Sequence, residues 1–311
     1  MYKYFLGFDT QELKHSFSYV TRDAMVAYFK SNNISYTFDI DEEYEEAILP
    51  SGTDLFSCYA KLKKKDVKIN IIAASSISDF MVKSFVNIPI FSLSLDAINY
   101  YRKANNLLVY LDSQKQFISK FKIDTPISKF PLMHNDFDIK LESQKNAFLN
   151  NYAIQPGKEI IASYGIITNK ERVLDLRAIA RNIPEKEFFF FGKIAPHALK
   201  LTTFESITQP ENLHFVEYLP EELYPSFLLN CSRLLLVSDY LAFPQILIDC
   251  IYHKIPLISY KVSGYEELIN DKCINYTMLY SSLYDILNKE PDLEKIELAY
   301  NTLMKYKQIV E

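Results

Sequence analysis

The sequence predicts an α/β protein built from two doubly wound halves, each a parallel sheet covered by helices on both faces. Three observations predict it. Short apolar runs alternate with helix-length segments over about the first 140 residues. The alternation stops at the turn chemistry of Tyr152-Ala153-Ile154-Gln155-Pro156-Gly157 and then restarts. Near the end of the second half, Leu234–Val237, a loop, a periodic run over Gln245–Tyr252 and the apolar Ile255-Pro256-Leu257-Ile258-Ser259 read as a βαβ unit. In such units ligands gather beyond the carboxyl ends of the strands. The loop Ser238–Phe243 therefore marks the place to look for a site.

The elements follow in order. Tyr2–Phe8 reads as a first buried strand, and Tyr19–Asn32 as a helix with Val20, Ala24, Ala27 and Tyr28 on one face. Ile34–Phe38, Asp54–Tyr59 and Val67–Ala73 read as strands, with a short helix over Ala60–Lys65. Ser75–Phe85 enters a helix with Ser76 and Ser78 as candidate caps. Leu107–Leu111 is a strand, Ser113–Phe121 a helix and Phe130–Met133 a strand. Glu142–Asn150 is a charged helix in the joining region.

The second half continues with strands at Glu159–Ser163, Glu187–Phe191, His214–Val216 and Leu234–Val237. Its helices fall at Arg172–Arg181, Pro220–Leu229, Gln245–Tyr252 and Tyr265–Ile269, with a short strand near Asn275-Tyr276 and helices from Ser281 and Asp292. The expected organisation is a Rossmann-like domain over 1–140, a linker over 141–156, a second Rossmann-like domain over 157–295 and a C-terminal helix over 296–311. A cleft between the halves is the expected ligand site.

Composition narrows the partners. The 311 residues are 49% hydrophobic and 23% charged, enough for sizeable cores and a solvated surface. A net charge of −5 argues against a broad nucleic-acid-binding face. Lys61–Lys65 and Lys115–Lys122 are local basic runs that suit either plain solvation or contact with anionic lipid headgroups. No apolar run reaches the roughly 18 residues of a membrane span, and no basic leader with a cleavage site is present. The expected location is the cytoplasm, with peripheral contact at the inner membrane face. Cys58, Cys231, Cys250 and Cys273 lack paired spacing and read as small core residues. Only six glycines occur, and none forms a glycine-rich phosphate loop.

The second half carries a family likeness. It runs through Ala147-Phe148-Leu149, Lys158–Gly165, Val173-Leu174-Asp175-Leu176, Ile183-Pro184, Phe188–Gly192, Pro210–Phe215, Tyr218, Phe243-Pro244 and Ile255–Ile258. On these residues the chain resembles glycosyltransferase family 4, retaining enzymes of GT-B architecture. It is nearest to the Gram-positive branch that glycosylates diacylglycerol glycolipids and related envelope acceptors. The likeness spans roughly residues 140–275; in the first half only Ser75, Asp79-Phe80, Ser84-Phe85 and His134–Asp138 match, and loosely. It implies two Rossmann-like domains facing across a cleft, a UDP-linked sugar as donor substrate and no metal cofactor.

The resemblance also implies site residues. Two family glutamates eight positions apart meet ribose and donor sugar; here they fall at Asp249 and Leu241. The family's Arg-Lys-Gly diphosphate clamp reads Lys170-Glu171-Arg172, where a helix N-terminus suits an anion. Its glycine pair after the first strand reads Phe17-Ser18-Tyr19, and its histidine near the sugar falls at Ala74. The candidate nucleotide-sugar residues are therefore Gly165, Lys170, Arg172, Gly192, Phe215, Tyr218, Pro244, Gln245 and Asp249. No candidate catalytic residue stands out. The histidines, His15, His134, His197, His214 and His253, show no metal-ligand spacing.

Two functions follow. One is a sugar-nucleotide-dependent transferase with an atypical site, acting on an envelope lipid, glycan or protein. The other is a pseudo-transferase that stabilises or steers an active glycosyltransferase, with aromatic residues (22 Phe and 23 Tyr) available for an interface. Losing one donor to a developing charge costs about 10²–10³ in rate, so several departures together weigh against activity, while the retained scaffold keeps the transferase family as the leading reading. A homo-oligomer is a further expectation.

Overall fold

The computed structural model describes residues 1–8, 18–50, 54–73, 98–137, 142–167, 170–194, 209–237, 244–259, 267–268, 270, 272–273, 275–276 and 280–308. The chain divides into two compact units, Met1–Asn135 with Lys305–Glu311, and Asp136–Met304.

The first unit holds strands β1 (Tyr2–Leu6), β2 (Tyr36–Thr37), β3 (Tyr44–Pro50), β4 (Lys68–Ile72), β5 (Asn106–Val109) and β6 (Ile127–Lys129). They pair in the order β2-β1-β3-β4-β5-β6, every pair parallel. The connections include helices α1 (Ser18–Ser31), α2 (Asp54–Lys65) and α3 (Asp112–Ser119). A parallel sheet is covered on both faces, so its strands carry unbroken apolar runs. Ala47-Ile48-Leu49 and Leu107-Leu108-Val109 are buried throughout. On one face Phe5, Ala47, Leu49, Ile69, Ile71, Leu107 and Val109 join Tyr59 and Leu62 of α2 and Ile118 of α3 in one core.

Three readings change here. Tyr44–Pro50 is a strand that the sequence hides behind an acidic run. Glu45 and Glu46 lie at its exposed start, ion-paired to Lys3 (2.6 Å) and Lys68 (3.1 Å) on the flanking strands. Asp54–Tyr59, expected as a strand, is the first half of α2. Its buried positions Tyr59 and Leu62 are three apart, a helical rather than an alternating pattern. The strand expected at Phe130–Met133 lies earlier, at Ile127–Lys129, with Phe130 N still donating to Val109 O at 2.8 Å. Pro131 has no N–H and cannot extend the ladder.

The second unit holds β7 (Ile160–Ile167), β8 (Glu187–Ile194), β9 (Leu213–Val216), β10 (Cys231–Leu236), β11 (Leu257–Ser259) and β12 (Asn275–Tyr276). Its helices include α4 (Glu142–Lys145), α5 (Ala147–Asn151), α6 (Lys170–Asn182), α7 (Tyr224–Asn230), α8 (Pro244–Tyr252), α9 (Tyr280–Leu287) and the greater part of α10 (Leu293–Gln308), whose residues from Lys305 on group with the first unit. The strands pair in the order β12-β11-β10-β7-β8-β9, again all parallel. Counted within the unit and read from β9, this is the order 3-2-1-4-5-6 of dinucleotide-binding sheets.

Phe188 to Phe191 sit on β8, an interior strand between β7 and β9, and are at most 1% exposed. Successive residues point to opposite faces. Phe189 and Phe191 meet Phe148 and Phe227 (centroid distances 5.1 and 4.9 Å), while Phe190 meets Phe215 on the other face at 6.1 Å. The helix expected over Glu142–Asn150 is two short helices, and the expected linker packs as part of the unit. Ser226 Oγ of α7 ties them, accepting from Phe148 N at 2.8 Å and donating to Lys145 O at 2.7 Å.

Two buried cations anchor the opposite end of this sheet. Lys186 precedes β8 and donates to Leu287 O at 3.0 Å; Arg233 donates to Ile286 O at 3.1 Å and Lys289 O at 2.6 Å. Both also meet the Glu159 carboxylate. They satisfy the terminal carbonyls of α9 and complement the negative end of its dipole. Structural charge is thus concentrated at the amino ends of the strands.

Candidate functional site

In the second sheet the strand order reverses between β7 and β10, which are neighbours. Connections leaving two such strands diverge to opposite faces, and the crevice they leave at the carboxyl ends is where ligands of these sheets bind. The segment after β7 leads into α6 and the segment after β10 leads into α8, so both helices begin at this crevice. The topology thus brings the candidates to one edge. Gly165 and Gly192 lie near the ends of β7 and β8, Lys170 and Arg172 open α6, Phe215 and Tyr218 end and follow β9, and Pro244 and Gln245 open α8.

The two helix starts differ in charge. The first turn of α6 carries Lys170, Glu171 and Arg172. Arg172 is partly exposed, with Nη1 at 3.7 Å from Asp175 Oδ2 one turn on. That separation is long for a charge-assisted hydrogen bond, so the pair orients the guanidinium loosely. The first turn of α8 has Pro244 at its start, where a missing N–H costs nothing, and no cation. Of the two, only α6 adds basic residues to the positive end of a helix dipole.

Gly165 and Gly192 are cross-strand partners, with φ of 127° and 128°. A Cβ on Gly192 would lie 2.1 Å from Gly165 O. Both positions have a backbone conformation that disfavours L side chains, and at Gly192 the close approach of the β7 backbone excludes a Cβ as well. Phe215 is half-buried against Phe190, and Tyr218 is half-buried beside it in the chain.

Asp249 takes a different position from the one its place in the sequence suggests. It is 0% exposed, within a helix whose Ile246, Leu247, Ile248, Cys250 and Ile251 are all buried. Its Oδ2 accepts from Tyr224 Oη at 2.7 Å and its Oδ1 from Gln245 Nε2 at 3.0 Å. Gln245 is 1% exposed, so its amide is turned inward as well. A carboxylate enclosed in this way is held in place by its donors and acts on the first turn of α8 from behind. Tyr224 has no counterpart in the sequence reading: it lies 25 positions from Asp249, and no local pattern connects them.

The remaining reactive groups serve packing. His214 stacks on Phe189 at 4.4 Å with Nε2 at 3.0 Å from Glu187, and His253 stacks on Phe137 at 6.3 Å. Cys231, Cys250 and Cys273 are buried free thiols; burial pushes Cys231 up to about 12 and Cys250 well above its ordinary value, which leaves them unreactive. Among the described residues no group of three or more His, Cys, Asp or Glu could hold a metal ion, and no helix is long and apolar enough to cross a membrane. The loop 238–243 with Asp239, Tyr240, Leu241 and Phe243, the N-terminal Phe17, Ala74, the helix expected over Ser75–Phe85, and residues His15 and His197 lie outside the described residues. Most of the helix expected over Tyr265–Ile269 does too.

Solved structures place the fold. The chain is similar to sucrose-phosphate synthase from Thermosynechococcus elongatus, at 13% identity and a TM-score of 0.57 over 97% of this chain and 75% of that one. It is similar to Anabaena HepE, solved in complex with UDP and glucose, at 11% identity and a TM-score of 0.58 over 100% of this chain and 98% of that one. It is also similar to UDP-GlcNAc 2-epimerase from Neisseria meningitidis, solved bound to UDP-GlcNAc, at 10% identity and a TM-score of 0.52 over 95% and 77%. No family model matches the chain, and no curated protein does either. The fold is the GT-B architecture of two Rossmann-like units.

Proposed function

We propose that this chain takes a nucleoside-diphosphate sugar, UDP-linked, at the carboxyl edge of its second sheet and transfers the sugar with retention to an envelope lipid, glycan or protein acceptor. The observation that carries the reading is the strand reversal between β7 and β10 with the cationic start of α6 beside it. Lys170 and Arg172 meet the diphosphate, where backbone N–H groups and the helix dipole add to their charge. Phe215 and Tyr218 border the base. Gly165 and Gly192 shape the strand ends, and Pro244, Gln245 and Asp249 set the first turn of α8. The structures solved with UDP or a UDP sugar support the choice of donor. Peripheral contact with anionic lipid through Lys61–Lys65, and self-association, belong to the same proposal.

Calorimetric titration with UDP, UDP-glucose and UDP-GlcNAc tests it. The expected result is saturable binding, weakened at least tenfold by Lys170→Ala together with Arg172→Ala. Absence of heat and of any thermal shift with all three ligands refutes it. Because the fold serves more than one reaction on UDP sugars, product analysis separates transfer from epimerisation.

A second reading is favoured by one observation. The acid at the ribose position, Asp249, spends both oxygens on internal donors. In this reading the chain is a pseudo-transferase that stabilises an active glycosyltransferase. Co-purification of a transferase whose activity collapses without this chain supports it; turnover of a UDP sugar by the purified chain alone sinks it.

A further inference from the structure

The polar trio Tyr224–Asp249–Gln245 places a fully buried carboxylate in the second core, and packing does not require it. We infer that Tyr224 is a positioning residue for the nucleotide site: through Asp249 and Gln245 it locks the first turn of α8 at the strand crossing. The inference rests on the proposed nucleotide-sugar reading.

The argument begins with burial. Every neighbour of Asp249 on α8 from Ile246 to Ile251 is buried and apolar or a thiol, and Tyr224 is itself only 2% exposed. A carboxylate in such surroundings is stabilised only by its donors, and an apolar residue of similar size there is often neutral or stabilising. The trio is therefore a poor device for stability. As a device for position it is well made. Tyr224 opens α7, and that helix is itself held to α4 and α5 through Ser226. The phenol fixes one carboxylate oxygen at 2.7 Å, and the other fixes the Gln245 amide at 3.0 Å one turn back along α8. Gln245 is the second residue of α8, where the chain enters from the loop that follows β10. The chain of hydrogen bonds thus runs from a braced helix to the rim of the crevice. Phe137 packs edge-on against Tyr224 at 5.9 Å and limits the freedom of the ring.

The test replaces the trio rather than breaking it. A variant carrying Tyr224→Phe, Gln245→Met and Asp249→Leu is expected to unfold at or above the wild-type temperature and to bind UDP at least tenfold more weakly by calorimetry. If it folds and binds UDP with wild-type affinity, the inference is overturned. If the triple variant does not fold, Tyr224→Phe alone is titrated at 20 °C after its near-UV spectrum shows a native core. A severalfold loss of UDP affinity there supports positioning; unchanged affinity overturns it. Failure of the wild-type chain to bind UDP removes the nucleotide reading itself, and that outcome is visible in the wild-type titration before any variant is compared.

Discussion

Gly192→Ala is the sharpest test of the geometry at the ends of β7 and β8. At φ 128° an L residue sits in a region that costs about 1–3 kcal/mol. The added Cβ would also stand 2.1 Å from Gly165 O, a contact that flexible side chains cannot relieve because the obstacle is backbone. Overpacking of a well-filled core costs about 1–3 kcal/mol more. Together about 2–6 kcal/mol is expected, a large part of the roughly 5–15 kcal/mol by which a typical domain is stable. Gly157→Ala is the internal control: Gly157 has φ 90° but nothing within 4 Å of its Cβ, so only the conformational cost remains. Urea unfolding followed by far-UV circular dichroism measures both. Gly192→Ala is expected to be destabilised by about 1–3 kcal/mol more than Gly157→Ala. Equal losses in the two variants would refute the reasoning, since they would mean that β7 and β8 do not approach as described.

Two further outcomes concern stability at other places. Arg233→Ala leaves the Ile286 carbonyl of α9 and the Lys289 carbonyl just after it without their donor and is expected to cost about 3 kcal/mol, read from the urea midpoint, with a smaller loss for Arg233→Lys. For pH dependence, burial pushes the Glu46 carboxyl up, but hydrogen bonds from Asn70 and Lys68 outweigh it and hold the group below its ordinary value of 4.5. A carboxyl depressed in the folded state contributes stability above its unfolded value, and that contribution is lost as pH falls through the folded value. Glu46→Gln is therefore expected to be less stable than wild type at pH 7 and to converge on it below pH 4.5, in thermal scans across pH.

The second half of the chain was the more legible. Its strands are continuous apolar runs bounded by turn residues, and the strand at Leu234–Val237 and the helix from Gln245 were both recognisable. The first half was harder because local composition misled. Tyr44–Pro50 begins with glutamates, and only cross-strand lysines explain why they tolerate a sheet. Asp54–Tyr59 is rich in strand-forming types but lies on a helix whose buried face is set by the sheet beneath it. Propensity yields to packing in both cases.

The site divides in the same way. Helix α6 with its cations, the glycines of β7 and β8 and the acid of α8 are all local features, and their order along the chain pointed to the carboxyl edge of one parallel sheet. Their mutual relations are not local. Gly165 and Gly192 are 27 positions apart and constrain each other through one carbonyl (192 − 165). Asp249 reads as a ligand residue along the chain, yet Tyr224 and Gln245 enclose it. Periodicity and turn chemistry act within a few residues, so the amino-acid sequence alone determined the two α/β halves and pointed to the carboxyl edge of the second sheet as the candidate site. Which groups face that edge and which are spent inside the core depends on strand order and burial, and only the tertiary structure decided it.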